Sequence, residues 1–502
     1  MNNGKICISI CAETAEDLIQ QIKRAESLAD IIEIRFDCLK SEQIHKAFAF
    51  LTSKKPLLLT YRPKEQGGKL ELDLPQRMLF WNAFIVNGLL DKRKCLIDFE
   101  FDLKSEISNL KFQKIISFHN FSSVPNNLET IYESLLQSSE TIKIAVQADD
   151  ITDSIPIWKL IKKAKKDNKQ IIPIAMGEAG KWTRILGLAH GAFMTYASLN
   201  AGQETAPGQV SVRDLIEVYC AKNLNEQTEI YGIIGGDTSY SMSPFMQNAA
   251  FKYHHLNAVF VPLQVQNLDE FIRRMVRQNS REIELNFKGF SVTIPHKQNI
   301  IKHLDEIDET ARAIGAVNTV KIIDGKLYGY NTDAHGFISP LLNSYGDLSK
   351  AKVAVFGAGG AARACIYALK QAGADVTIFA RDLAKAQIIA NDFKFQISNL
   401  KSQNENYNEF DILVNTTPLG TKGKLENASI ATAEQIEAVK LVYDLVYNPF
   451  QTILMSEADK VHVPKIGGMA MLVAQGMKQF EIWTGKNAPM KEMSQAVLKR
   501  SI

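Results

Sequence analysis

Short apolar runs recur through the first 220 residues, separated by polar stretches of helical spacing. The runs are ICISI (6–10), IIEIRF (31–36), PLLLTYR (56–62), CLIDFEF (95–101), KIISFH (114–119), IKIAVQ (142–147), IIPIAM (171–176) and AFMTYA (192–197). Their length suits buried strands better than helices. Between most of them lie patterns such as AEDLIQQIKRAESLA and IPIWKLIKKAKKD, which place apolar residues on one helical face. Eight strands alternating with helices over this length predict a (β/α)8 barrel, an open doubly wound sheet being the alternative. VSVRDLIEVYCAKN (210–223) reads as the closing helix, and the polar LNEQTE (224–229) as a linker. The pattern therefore sets a domain boundary near residue 225.

Beyond it the pattern changes. YGIIGGDTSYSMSPFMQNAAFKYHHL reads as strand, polar loop and helix, and GFSVTIPHKQNII (289–301) reads the same way, with Lys297 opening the second helix. Lys297 there would meet the positive end of the helix dipole, which disfavours an ammonium. At 352–371 the apolar VAVF precedes Gly357, Gly359 and Ala362 at G-x-G-x-x-A spacing, and a helix follows. The first glycine permits a tight turn, the second admits a pyrophosphate to the backbone, and the small third residue lets helix pack on strand. With a second strand at VTIFAR, this predicts a dinucleotide site that includes Gly357, Ala358, Gly359, Gly360 and Ala361. Cofactor choice is read after that strand, where Arg381 and Lys385 stand beside Asp382. The cations favour the 2′-phosphate of NADP, and NAD is the less favoured alternative.

The 502 residues are 46% apolar and 23% charged with a net charge of +3, which suits a multidomain globular chain and is too mild to imply nucleic acid as a partner. No signal-peptide pattern opens the chain and no long apolar span occurs, so a cytoplasmic protein without membrane contact is expected. The six cysteines are scattered without a C-x-x-C pair, and four sit in apolar runs or helical patterns, so buried reduced thiols are the default expectation. No metal site is expected.

Barrel chemistry collects at the carboxyl ends of the strands. Glu33 and Arg35, Arg62, Asp98 and Glu100, His119, Lys143, Arg184 and the TAPGQ segment (205–209) all fall there or just inside. Each alone has an ordinary explanation, but inward charges in a barrel are costly unless they serve a site. A lysine in an apolar strand loses affinity for its proton and becomes a nucleophile for imine formation. A histidine can serve as acid and base, and arginines can clamp a carboxylate.

At these residues the chain resembles type I 3-dehydroquinate dehydratase over nearly all of residues 5–222. The matches are DFE (98–100), ISFHN (116–120), EIRFD, TYRPKEQGG, the IKIAV lysine, AMGEAGKWTRILG and TAPGQ. The resemblance implies a Schiff base on Lys143, with His119 removing a proton and assisting loss of water. It implies substrate contacts from Glu33, Arg35, Arg62, Arg184, Thr205 and Gln209, with Met176 walling the pocket. Gln66 stands where the family usually carries a glutamate that orients the histidine, and Phe118 replaces a polar residue.

Residues 230–490 resemble shikimate dehydrogenase, through SMSP, SVTIPHK, IGAVNT and NTDxxG in that order. This resemblance implies that Ser241, Ser243, Thr293, Asn318 and Asp333 bind substrate and that Lys297 and Asp333 form the catalytic pair. It places Tyr447, Thr416, Gly468 and Met471 near the cofactor and Gln475 on the substrate; Tyr447 also counts as a candidate substrate contact. Met242 and Ser291 replace a common lysine and asparagine. The expected architecture is an α/β chain: a (β/α)8 TIM barrel at 1–224, then a shikimate dehydrogenase-like substrate domain at 230–348 and a Rossmann NADP-binding domain at 349–502. The two resemblances together imply a bifunctional enzyme converting 3-dehydroquinate to 3-dehydroshikimate and then to shikimate. A preference of the second half for quinate, or a non-catalytic metabolite sensor, are the rival readings.

Overall fold

A computed structural model describes residues 2–86, 95–103, 106, 113–393, 395–399 and 406–501. The chain divides into two compact units, one of Met1–Ser241 with Asn257–Phe287, the other of Met242–Leu256 with Lys288–Ile502.

In the first unit the eight apolar runs form eight parallel strands: β1 (Lys5–Ile10), β2 (Ile31–Arg35), β3 (Leu57–Thr60), β4 (Cys95–Glu100), β5 (Gln113–Asn120), β6 (Thr141–Gln147), β7 (Gln170–Met176) and β8 (Met194–Ser198). They pair in chain order, β8 returns to pair with β1, and the Phe193 N–H bonds the Ile171 carbonyl at the β7 side, curling the sheet round. A two-residue strand, β9 (Val210–Ser211), extends β8. The expected closing helix is shorter than its pattern suggests: after β9 the chain is helical over 212–218, with Asp214–Val218 π-helical.

Register decides which side chains share the interior. In parallel strands paired residues face the same side, and the side alternates along each strand. Cys7 pairs with Ile31 and Tyr196, Ser9 with Glu33, Thr60 with both Arg35 and Asp98, Ser117 with Lys143 and Ala145 with His119. One inward face thus carries an apolar layer of Cys7, Ile31, Leu58, Ile115, Ile172 and Met194. Above it the same face carries the charged residues.

Also in this unit, β10 (Glu229–Gly235) and β11 (Ala258–Gln264) are parallel. The segment after β11 is tied to the barrel. The Asp150 carboxylate accepts from the Gln266 and Asn267 N–H groups at 2.6 and 3.1 Å, Lys159 pairs with Glu282, and Trp182 lies 6.2 Å from Phe287.

The second unit holds all but the first residue of β12 (Phe287–Val292), and β13 (Glu306–Ile307), β14 (Thr319–Ile323) and β15 (Lys326–Tyr330). β14 is antiparallel to both β12 and β15, and β13 runs parallel to β15. A second sheet comprises β16 (Lys352–Phe356), β17 (Asp375–Ala380), β18 (Gln396–Asn399), β19 (Ile412–Asn415), β20 (Leu441–Asp444) and β21 (Lys465–Gly467). It is parallel in the order β18-β17-β16-β19-β20-β21, which is the doubly wound dinucleotide-binding topology, with β16 at the switch point.

Two expectations change. Cys11 and Cys38 form a disulfide joining the segments that follow β1 and β2, while Cys7, Cys220 and Cys365 are free thiols. The two bonded residues lie 27 positions apart, and the chain turn that brings them together carries no local motif. Lys297 does not open an α-helix. Its carbonyl accepts from the Val317 N–H at 2.8 Å, which ties this peptide to the IGAVNT segment, and only a 3₁₀ turn, Asn299–His303, follows. The dipole argument for Lys297 therefore falls away.

Candidate active sites

The nine barrel residues singled out from sequence, Glu33, Arg35, Arg62, His119, Lys143, Met176, Arg184, Thr205 and Gln209, line one cavity. Lys143 is almost fully buried on β6, and its Nζ donates to Asp98 Oδ2 at 3.2 Å. Burial and the Arg62 cation hold this lysine below the usual ammonium range, against the pull of Asp98 and Glu33. Arg62 links the acid–base group to the same carboxylate. Its Nη2 donates to Asp98 Oδ2 at 2.6 Å, and its Nη1 meets His119 Nε2 at 2.6 Å. A guanidinium can only donate, so His119 Nε2 accepts and the imidazole is neutral. Burial, then Arg62, Lys143 and Arg35, keep the His119 pKa well below its ordinary value.

The other charges are braced. Arg35 forms a two-pronged pair with Asp37 at 2.8 and 2.7 Å and donates to the Gly67 carbonyl. Glu33 accepts from Ser9 and from Thr60 Oγ1, and Thr205 Oγ1 donates to Ser9. Gln209 bonds the Thr205 backbone and hydroxyl, fixing the segment after β8. Beneath Arg62, Glu100 pairs with Arg77, and burial, countered by Arg62, lifts its carboxyl to about 7. Arg184 differs from these. It is buried on the helix Lys181–Leu186, donates to the Pro207 carbonyl at 3.1 Å, and among the described residues has no carboxylate partner. Burial pulls it down to about 10. A buried guanidinium so placed fits an anionic ligand.

The residue departures have structural counterparts. Gln66 lines the cavity, but its Oε1 finds no hydrogen-bond partner among the described residues and His119 Nδ1 likewise has none. The histidine is positioned instead by Arg62 and by the parallel ring of Phe121, 6.2 Å away. Tyr196, Asp98 and Arg77 complete the surroundings; Tyr196 and Arg77 carried no signal in the sequence beyond inward parity for the first.

In the second unit Lys297 Nζ donates to Asp333 Oδ2 at 2.6 Å, and Asn318 Nδ2 donates to Asp333 Oδ1 at 2.7 Å. Asp333 begins the helix Asp333–Tyr345, and Asn331 Oδ1 accepts its N–H at 3.0 Å. The long helix Gly468–Thr484 braces this trio from the other side. Gln479 donates to the Asn318 carbonyl and accepts from Ser291, and Trp483 donates to the Val320 carbonyl. The serine at 291 thus has a defined partner. Asn331 opens the NTDxxG motif without having been singled out, and Gln479, which lies in no chemical motif, was missed by the sequence reading. Gln475 and Met471 sit on one face of this long helix, both largely buried. Ser243 is the first residue of the helix Ser243–Tyr253, Thr293 turns the chain after β12, and Tyr447 follows β20. Ser241 belongs to the first unit.

The glycine of NTDxxG has a packing role. A Cβ on Gly336 would stand 2.5 Å from Gln475 Cβ and 2.8 Å from its backbone nitrogen. Gly336→Ala is expected to force the two helices apart, lowering stability by roughly 1–3 kcal/mol, read as a fall in the unfolding midpoint together with weakened turnover at this site.

The loop after β16 fits a pyrophosphate. Gly357 adopts φ +120°, and a Cβ there would strike Thr416 Oγ1 at 2.3 Å, so only glycine is tolerated. Cβ atoms built on Gly359 and Gly360 meet nothing, leaving an open cradle at the start of the helix Gly360–Gln371, whose N-cap Gly359 supplies no side chain. Gly468 approaches the Leu445 carbonyl closely. Arg381 is exposed at the end of β17. Asp382 Oδ1 accepts the Lys385 N–H and its other oxygen pairs with Lys385 Nζ at 3.3 Å, so this carboxylate is engaged by the following helix. Among the described residues no cluster of acidic, histidine or cysteine side chains is arranged to hold a metal ion, and no helix is long and apolar enough to cross a membrane.

Comparison with known proteins agrees with this geometry in both halves. A family model for type I 3-dehydroquinase matches residues 6–226. Models for the shikimate dehydrogenase substrate binding domain, shikimate/quinate 5-dehydrogenase and the shikimate 5′-dehydrogenase C-terminal domain match residues 233–320, 341–445 and 468–498. The bifunctional 3-dehydroquinate dehydratase/shikimate dehydrogenase of Arabidopsis thaliana chloroplasts is 34% identical over 99% of this chain and 85% of its own length. The chain belongs to this bifunctional family. The NADP(+) shikimate dehydrogenase of Methanocaldococcus jannaschii is 37% identical over 55% of this chain and 99% of its own. A crystal structure of a shikimate dehydrogenase in complex with NADP+ superposes with a TM-score of 0.51 and 36% identity, covering 56% of this chain and 98% of the other.

Proposed function

We propose that the chain carries out two successive steps, dehydrating 3-dehydroquinate to 3-dehydroshikimate at 1–224 and reducing that ketone to shikimate with NADPH at 230–348 and 349–502. The observation that carries the first reading is the Lys143–Asp98–Arg62–His119 connection within one cavity, with Arg184 left for an anion. The Lys143 amine adds to the substrate ketone and water leaves, giving an iminium. His119 then takes the proton from the adjacent C2, the electrons moving toward the iminium nitrogen, and returns it to the C1 hydroxyl, which departs as water. Hydrolysis of the iminium frees Lys143. Substrate oxygens that draw the Arg62 guanidinium release the Nε2 lone pair for this work. Arg184 clamps the substrate carboxylate, and Glu33, Arg35, Thr205, Gln209 and Met176 complete the binding wall.

For the second step, bound NADPH supplies a hydride to the ketone carbon. The chain's own contribution is the Lys297–Asp333 pair, which delivers the proton to the ketone oxygen as it becomes an alcohol. Asn318, Ser241, Ser243, Thr293 and Gln475 hold the substrate's hydroxyls and carboxylate, with Tyr447 and Met471 bordering the nicotinamide. Gly357, Ala358, Gly359, Gly360, Ala361, Thr416 and Gly468 form the cradle, and Arg381 with Lys385 meets the 2′-phosphate. Replacing Arg381 by alanine is expected to raise the KM for NADPH about 10- to 100-fold, the range for losing a charge-assisted contact, with little change for NADH; equal effects on both would remove the assignment.

The test of the whole reading supplies 3-dehydroquinate with NADPH or NADH and follows nicotinamide oxidation and shikimate. Oxidation with shikimate formed is the expected result. Activity only when 3-dehydroshikimate is supplied would refute the dehydratase reading, and no activity with either would refute both. Comparing oxidation of shikimate with that of quinate fixes which alcohol the second half prefers.

A further inference from the structure

Tyr196 lies on the inward face of β8, lines the cavity of the barrel and is nearly inaccessible to solvent. Lys143 Nζ stands 4.2 Å from the centroid of its ring. The phenol hydroxyl is buried and has no hydrogen-bond partner among the described residues. What this side chain offers the site is therefore its ring.

That ring meets a need the other neighbours leave open. The groups around Lys143 are Cys7 on β1, Glu33 on β2, Arg62 after β3, Asp98 on β4 and His119 on β5. Arg62 opposes a positive charge on Nζ. Asp98 favours one, but the Oδ2 that faces Nζ at 3.2 Å also takes Arg62 at 2.6 Å. The carboxylate is shared, and its shorter bond goes to the guanidinium. An aromatic face attracts a cation through its quadrupole without bringing a second negative charge into the cavity, and the attraction is stronger where water is excluded.

We propose that the ring of Tyr196 is a positioning element of the dehydratase site, holding the positive charge on Lys143 Nζ as the ammonium and then as the iminium. This rests on the imine reading above. A neutral amine gains little from the ring, whereas the iminium, whose charge draws electrons from the substrate, gains fully. The ring thus raises the fraction of enzyme present as the reactive cation.

The test uses the full chain with Tyr196→Phe, Tyr196→Leu and 3,4,5-trifluorophenylalanine at position 196. The last keeps the aromatic shape while removing most of the negative potential of its face. Each protein is mixed with saturating 3-dehydroquinate and borohydride, and the reduced adduct on Lys143 is measured by mass. The pH dependence of kcat/KM is recorded beside it, and reduction of 3-dehydroshikimate by the same protein checks that the chain is folded. We expect Tyr196→Phe to stay near the unaltered enzyme. The trifluorinated and leucine proteins should trap about tenfold less adduct, and their acid limb of kcat/KM should move to lower pH because the ammonium has lost a partner. Trapping by the trifluorinated protein equal to that of Tyr196→Phe would overturn the proposal, since shape alone would then suffice. So would a loss in Tyr196→Phe as large as in Tyr196→Leu, which would assign the effect to the hydroxyl. An unaltered enzyme that forms no adduct would refute the imine reading itself, and this inference with it.

Discussion

Lys143→Ala is expected to reduce dehydration of 3-dehydroquinate by at least about 10³-fold while the same protein still reduces 3-dehydroshikimate. The lysine is the nucleophile of the proposed step, and among the described residues no other lysine lines the cavity. Truncation should not unfold the barrel, because Asp98 keeps its bond to Arg62 and is not left as an uncompensated buried charge. The pH profile of the unaltered enzyme separates the two acid–base groups. Both must be unprotonated to act, so activity falls as pH falls through each pKa. Burial and Arg62 lower the Lys143 value from 10.5, which puts the plateau of kcat/KM below the ordinary lysine range. Burial holds the His119 value well below 6.5. The limb of kcat/KM lost first on acidification, at a pH below the ordinary lysine range, therefore belongs to Lys143, and His119 contributes only at more acidic pH. A profile with a single limb near 6.5, or a Lys143→Ala protein that still dehydrates, would remove the nucleophile assignment.

Much of this site is legible in the amino-acid sequence, and the reason lies in strand parity. Once ISFH and IKIAV are taken as neighbouring parallel strands, Ser117 and Lys143 share a side, and so do His119 and Ala145. The alternation then carries Glu33 and Arg35 to that same side. What sequence does not carry is contact across the barrel. The Lys143–Asp98 bond and the ring of Tyr196 depend on strands that only the curling of the sheet brings together, and the Cys11–Cys38 disulfide on the loops that follow two neighbouring strands. Lys297 shows the opposite failure. Local pattern predicts a helix after Pro295, but tertiary pairing with Val317 takes the backbone carbonyl that a helix would need. The motif residues still meet, because the Lys297–Asp333 pair rests on Asn318 and Asn331, both within motifs, and on Gln479, which stands outside any recognisable motif.

Those supports make Asp333→Asn the sharpest test of the reductase half. The carboxylate serves two donors at once, Lys297 Nζ on one oxygen and Asn318 Nδ2 on the other. An asparagine has the same shape but one acceptor oxygen, and its amide must face one of those donors with N–H. The pair with Lys297 is lost in either orientation, because no negative charge remains. We expect kcat for 3-dehydroshikimate reduction to fall about 10²- to 10⁴-fold, the usual worth of a positioned acid–base group, with dehydration of 3-dehydroquinate unchanged. Lys297→Ala should cost a similar amount, and the double substitution little more than either alone, because two residues that move one proton act as a unit. Single and double variants are compared at saturating NADPH so that kcat and KM separate. Fully additive losses would mean that the two residues act independently. A rise in KM with kcat preserved would make Asp333 a binding residue and leave the proton to another group.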